Sequence, residues 1–300
     1  MNFVVLALAA AIQAAPSPPP GPTMAEASAS LQGKTQCISF KWLSDGKGLT
    51  KAAISIPVQI NGKSVPLQLD TGADATILYG DAADRAGWGK PGQTKFRAAT
   101  FSIGSTAIDR PFVYINSDMQ ADAELIGTLG LTELIGRVAV IDYPQQRFCL
   151  FAEADLPAPL ASATYVRGDL RHTKFFVPVS VDAFQSDAVV FDTGSSQLPL
   201  NVDLPIWKKL TGRSQAKDAT RSIASSSWGK PVTFSGAPAA GPLMLGELNL
   251  GRPTVFTNAE LPTAFADWPF HSEGVLGNAL LWDGLVILDM TARVRFGYIR

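Results

Sequence analysis

Two carboxylates, Asp70 and Asp192, each stand in an Asp-Thr-Gly triplet at the end of an apolar run: VPLQLDTGADATIL from 65 to 78 and AVVFDTGSSQLPL from 188 to 200. One such triplet reads as a turn cap, since all three residue types favour turns. Two in one chain raise a different chemistry. Carboxylates held close together cannot both ionise cheaply, so a pair of them keeps one proton. The ionised member then takes a proton from a water lying between them while the protonated member gives one to a substrate carbonyl. That is general acid–base hydrolysis of an amide without a covalent intermediate. Gly72 and Gly194 leave room for backbone amides beside the carboxylates, and the hydroxyls of Thr71 and Thr193 can hydrogen-bond from one turn to the other, as buried polar groups require. Ser195 adds a hydroxyl where the first turn has Ala73. A donor to the charged form lowers a carboxyl's pKa, so Asp192 is expected to carry the charge and Asp70 the proton.

The elements that would position these turns also occur twice. IPVQINGKSVPLQLDTG (56–72) matches VPVSVDAFQSDAVVFDTG (177–194), with Pro57 and Pro178 standing 13 and 14 residues before the aspartates, a difference assigned to the turn. FSIG ending at Gly104 matches LNLG ending at Gly251. Each lies 26 residues before a second glycine, Gly130 or Gly277, and those lie 12 before Asp142 and Asp289, which read as turn formers. β-branched alternation and the Asn61-Gly62 hairpin signal make these segments strands. The halves differ between the triplet and the third landmark, 34 residues against 59, the excess lying around a Ser/Gly/Ala/Pro-rich stretch.

At this point LDTGADATIL resembles the active-site turn of retroviral aspartic proteases and FDTGSSQLPL that of pepsin-like ones; the segments ending at Gly130 and Gly277 resemble the family's second motif, which packs behind each aspartate. The resemblance runs over roughly residues 50–300. It implies an all-β, bilobal double barrel with pseudo-twofold symmetry and a central cleft, in which Asp70 and Asp192 are catalytic and Thr71, Gly72, Thr193, Gly194 and Ser195 support them. It also implies an extended peptide or unfolded protein as substrate, no metal or cofactor, and a monomer. Two departures stand out. In retroviral enzymes an arginine follows the second-motif glycine and pairs with the aspartate at the Asp74 position, where this chain has Leu131 and Asn278, so Asp74 needs another partner or faces water. In pepsin-like enzymes the first lobe carries a covering flap with a tyrosine. The segment Lys90 to Ala99 has none, and the extra length, with Trp228 and Gly229 as candidate flap tip, is in the second half.

Composition sets the surrounding limits. Hydrophobic residues at 46% and charged ones at 17% suit a chain that buries a core. With 25 basic and 26 acidic residues there is no electrostatic footprint for nucleic acid or an anionic membrane. Residues 1–15 read as a signal peptide, with cleavage near Ala15 or Ala27, so the chain is expected to be exported to a periplasm or secreted, without a membrane-spanning segment in its mature form. Residues 16–34 read as a linker, 35–152 as the first lobe, 153–173 as the connection and 174–300 as the second lobe, with a flap-like insertion at about 213–247. Cys37 and Cys149 either pair or remain free thiols. Ser195-Ser196 lacks a G-x-S-x-G context, and His172 and His271 form neither a hydrolase constellation nor, with the cysteines, a zinc spacing. The expected function is an aspartic endopeptidase; a non-catalytic peptide or protein binder on the same lobes is the alternative, and a structural periplasmic domain a third reading.

Overall fold

A computed structural model describes residues 21–300 apart from 47, 91, 228 and 229. The hairpin expected at Asn61-Gly62 forms with a two-residue turn: Ile60 pairs with Lys63, and both turn residues take positive φ, 48° and 78°. Such a turn matches the right-handed twist of its strands, and asparagine and glycine tolerate it best. On either side, alternating residues of Ala53–Ile60 and Lys63–Leu69 send Ile56, Val58, Leu67 and Leu69 into the core. The matching hairpin, Lys174–Val181 with Phe184–Asp192, also turns in two residues, Val181 pairing with Phe184. The one-residue difference between the repeats is therefore not in the turn. It is a bulge, since the register shifts between Val177–Val189 and Val179–Ser186 and leaves two residues facing Pro178.

The chain is all-β and bilobal. Across the first sheet the strands run 95–97, 112–116, 77–79, 127–129, 63–69, 53–60, 101–103, 106–107; across the second they run 221–227, 230–238, 254–257, 200–202, 274–277, 184–192, 174–181, 243–245, 248–249. The two orders correspond strand for strand once 221–227 is set aside. That strand forms a hairpin with Lys230–Pro238, built from the excess length of the second half. Trp228 and Gly229, the expected flap tip, lie outside the described residues, as does the signal-peptide segment 1–15.

A third sheet joins the lobes, in the order 37–39, 147–151, 138–142, 285–289, 295–299, 165–167. Its central antiparallel pair, Val138–Asp142 with Leu285–Asp289, carries the same repeat element from each half, with Val140 opposite Ile287. The local twofold relation between the lobes passes there. Asp142 and Asp289 end these strands as capping groups: Asp142 accepts from Ser28 Oγ and Gln145 N, and Asp289 from Thr291 and Arg295. Burial opposes the charge on Asp289, but those donors outweigh it and hold the carboxyl below its ordinary range.

Two boundaries expected from composition are corrected. The supposed linker 16–34 contains a helix, Met24–Ala29, opened by a capping box between Thr23 and Glu26. Ala27 and Leu31 are fully buried against Val140, Phe151 and Ile287 of the joining sheet, so a cut at Ala27 would remove packed structure. The connection 153–173 contributes Tyr165–Arg167 as the outer strand of that same sheet.

Cys37 and Cys149 form a disulfide between directly opposed residues of strands 37–39 and 147–151. The bond closes a loop of 112 residues. Replacing both cysteines by serine is expected to lower stability by about 2–4 kcal/mol, the typical range for a disulfide, read as a lower denaturant midpoint with a steeper slope, because the unlinked unfolded chain exposes more surface.

Candidate active site

Each Asp-Thr-Gly turn is placed by a parallel strand running beneath it. Leu129 pairs with Leu69, and the Asp70 amide donates to the Leu129 carbonyl at 3.1 Å; Asp192 itself pairs with Gly277. These are the segments ending at Gly130 and Gly277, and the glycines are required by crowding. A Cβ on Gly130 would lie 2.5 Å from the Ala75 carbonyl, and one on Gly277 would lie 2.1 Å from the carbonyl oxygens of Ser195 and Leu198.

Thr71 and Thr193 lock the two turns together and are fully buried. Each hydroxyl accepts from the other threonine's amide at 3.0 Å, and each donates across the interface, Thr71 to the Phe191 carbonyl at 2.9 Å and Thr193 to the Leu69 carbonyl at 2.8 Å. Both hydroxyls and both amides of the pair are thus satisfied inside the protein, where an unpaired one would be costly. The result brings Asp70 and Asp192 face to face. The Gly72 amide donates to Asp70 Oδ1 at 2.9 Å and to Asp192 Oδ1 at 3.2 Å, Gly194 N donates to Asp192 Oδ1 at 2.7 Å, and Ala73 N to Asp70 Oδ1 at 3.1 Å.

Burial, then the negative charge of Asp192 and the hydrogen bond between the two carboxyls, push Asp70 well above the ordinary carboxylate range. The pair therefore holds on to a proton as one coupled unit, through burial and repulsion rather than through the hydroxyl expected. Ser195 gives no hydrogen bond to either carboxylate among the described residues, and the amides of both turns supply the donors instead. The hydroxyl argument from residue 195 falls.

The pair opens into a cavity of about 410 Å³ between the lobes. Its second-lobe wall has an apolar part, Val190, Val275, Phe265 and Trp268, beside the polar Ser196, Gln197 and Asn201, whereas Gln68, Tyr79 and Met119 come from the first lobe. Val190 and Val275 are opposed in register, two residues before Asp192 and Gly277, which puts them on the same sheet face as Asp192. Ser225 and Phe234, one from each strand of the added hairpin, line the cavity as well. Tyr79, unmarked in the sequence reading, hydrogen-bonds Thr128, and its phenol is pushed up by burial and, more weakly, by Asp70.

Asp74 does find a partner, and it comes from the other lobe. Lys174 Nζ pairs with the Asp74 carboxylate and Thr173 Oγ1 donates to it at 2.9 Å. In the second turn Asn278, at the position after the second-motif glycine, donates to the Thr193 carbonyl at 3.1 Å and to Ser196 Oγ at 3.3 Å. Among the described residues no group of three or more His, Cys, Asp and Glu is placed to hold a metal ion, and no helix is long and apolar enough to cross a membrane.

Behind the first turn, Glu133 on the short helix Leu131–Leu134 is buried, and its Oε2 has no hydrogen-bond partner. Burial pushes its carboxyl up to about 7. A raised folded value means that the protonated form stabilises the fold below the ordinary carboxylate range and that this contribution is lost as pH rises through about 7. Glu133→Gln is therefore expected to be neutral near pH 4 and to raise stability above pH 7, by up to roughly 3 kcal/mol, in denaturant unfolding at the two pH values.

No family model and no curated protein sequence matches the chain. Among solved structures it is similar to the basic 7S globulin from soybean, with a TM-score of 0.49 and 11% identity over 88% of this chain and 95% of that one.

Proposed function

We propose that the chain is an aspartic-type endopeptidase in which Asp70 and Asp192 activate a water against a peptide bond. The observation that carries this reading is the Gly72 amide shared between the two carboxylates, because one donor can serve both only if they face a common point. In this reading Asp192 is the base that takes the proton of the water, and Asp70, which holds the proton, is the acid that donates to the scissile carbonyl. Thr71, Gly72, Thr193 and Gly194 keep the pair in place; Ser195 has no part in it. The peptide lies extended between the lobes, covered by the paired strands 221–227 and 230–238, with a large apolar side chain against Val190, Val275 and Phe265. No cofactor is called for.

The disulfide supports export to a periplasm or to the medium, since such bonds persist in oxidising compartments. The test is proteolysis of an unfolded protein across acidic to neutral pH by the wild-type chain and its Asp70→Asn and Asp192→Asn variants. Cleavage that survives both substitutions, or peptide binding with no cleavage at any pH, would overturn the reading.

A further inference from the structure

We propose that Lys174 is a positioning residue for the carboxylate pair, acting across the lobe interface through the peptide bond between Gly72 and Ala73; its catalytic consequence rests on the peptidase reading above. Lys174 opens the strand Lys174–Val181 of the second lobe, and its side chain is only 9% exposed. Besides meeting Asp74, its ammonium donates to the Gly72 carbonyl at 2.6 Å. The approach is set by the turn before it, where His172 and Thr173 both take positive φ and Thr173 adds its own bond to Asp74.

An exposed ammonium–carboxylate pair would contribute little. This one differs because its cation is fixed at one end of a peptide unit whose other end is in the site. The carbonyl of Gly72 and the amide of Ala73 belong to the same peptide, and that amide donates to Asp70 Oδ1 at 3.1 Å. A cationic donor on the carbonyl polarises the amide and strengthens the bond it gives, as chained hydrogen bonds in a low-dielectric interior do. Lys174 thus favours ionisation of the pair, against the burial and mutual repulsion that hold it protonated. The titratable groups facing Asp70 are Asp192 and Tyr79, with Lys174 reaching it through the peptide; the group facing Lys174 is Asp74.

The sign can be tested in two directions. Removing the cation should move the pair's titration to higher pH, whereas removing Asp74, which offsets that cation, should move it lower. The experiment is a carboxyl-carbon NMR titration of the aspartates in the full chain, with the pH profile of cleavage measured in parallel. For Lys174→Met the midpoints should rise by about 0.5–1 pH unit. Asp74→Asn should show a smaller fall, and Lys174→Arg should stay near wild type. Because the Asp74 side chain is 64% exposed, its variant keeps the test open if Lys174→Met does not fold. Unmoved midpoints, or shifts of the same sign in both variants, would overturn the proposal. The titration needs no substrate. Opposed shifts in a chain that cleaves nothing would leave Lys174 standing and remove the peptidase reading; cleavage with unmoved midpoints would do the reverse.

Discussion

Asparagine at position 70 is expected to abolish peptide cleavage and, at neutral pH, to make the fold more stable. The loss follows from the division of roles. In the proposed mechanism Asp70 supplies the proton for the scissile carbonyl, and an amide in its place neither acquires nor releases one. Asp192→Asn removes the base and should do equal damage. Removing either group should cost at least about 10³-fold in kcat, near the upper part of the range for a single general acid or base.

The gain in stability comes from the same electrostatics. The Asp70 carboxyl is pushed well above its ordinary range in the fold by burial and by Asp192. An acid whose folded value is raised contributes stability that is complete below its unfolded value and is lost as pH rises through the folded one. Asparagine has no such titration, so the variant should match wild type near pH 3 and exceed it near pH 8, with unfolding in urea as the readout. Equal destabilisation at both pH values would show that the carboxyls are not held against their charge, and with that the acid–base assignment would fail. Inactivity with enhanced neutral-pH stability separates a lost catalytic group from a damaged fold.

The sheets were legible because the repeat was. Landmarks at Asp70 and Asp192, Gly130 and Gly277, Asp142 and Asp289 are backbone necessities, and each falls where two strands cross or a turn closes. What escaped reading has separate causes. The helix Met24–Ala29 is too short and alanine-rich to show a period, although Thr23 and Glu26 spell its capping box and could have announced it. The bulge facing Pro178 and a shift inside the turn leave identical residue counts. Lys174 is 100 residues from Asp74 and belongs to the other lobe, so no spacing rule connects them. The choice of Ser195 as a donor failed because side-chain identity does not set side-chain direction.

The second large effect concerns a methyl group. Gly72→Ala is expected to eliminate cleavage while leaving the chain folded. A Cβ at Gly72 would lie 2.5 Å from Asp192 Cγ and 2.6 Å from both its oxygens, and one at Gly194 would lie 2.6 Å from Asp70 Cγ, so each glycine makes room for the opposite lobe's carboxylate. Contacts this short must be relieved by moving the carboxylate or the turn, and the threonine bonds hold the turns. The carboxylate therefore yields, the shared amide no longer reaches both acids, and the pair separates. Overpacking of this kind costs about 1–3 kcal/mol in stability, too little to unfold a chain carrying a disulfide across a long loop. Activity should fall by about 10³-fold or more, since separating the pair removes acid and base together. As the acids part, Asp70 should titrate closer to its ordinary range; because unfolding would do the same, the titration is read together with a denaturant midpoint showing that the variant is still folded. Gly89→Ala is the control, because a Cβ there meets nothing nearer than 3.8 Å, and it should leave both cleavage and stability essentially unaltered. If Gly72→Ala kept wild-type cleavage, the face-to-face arrangement of Asp70 and Asp192 would not be the reacting geometry.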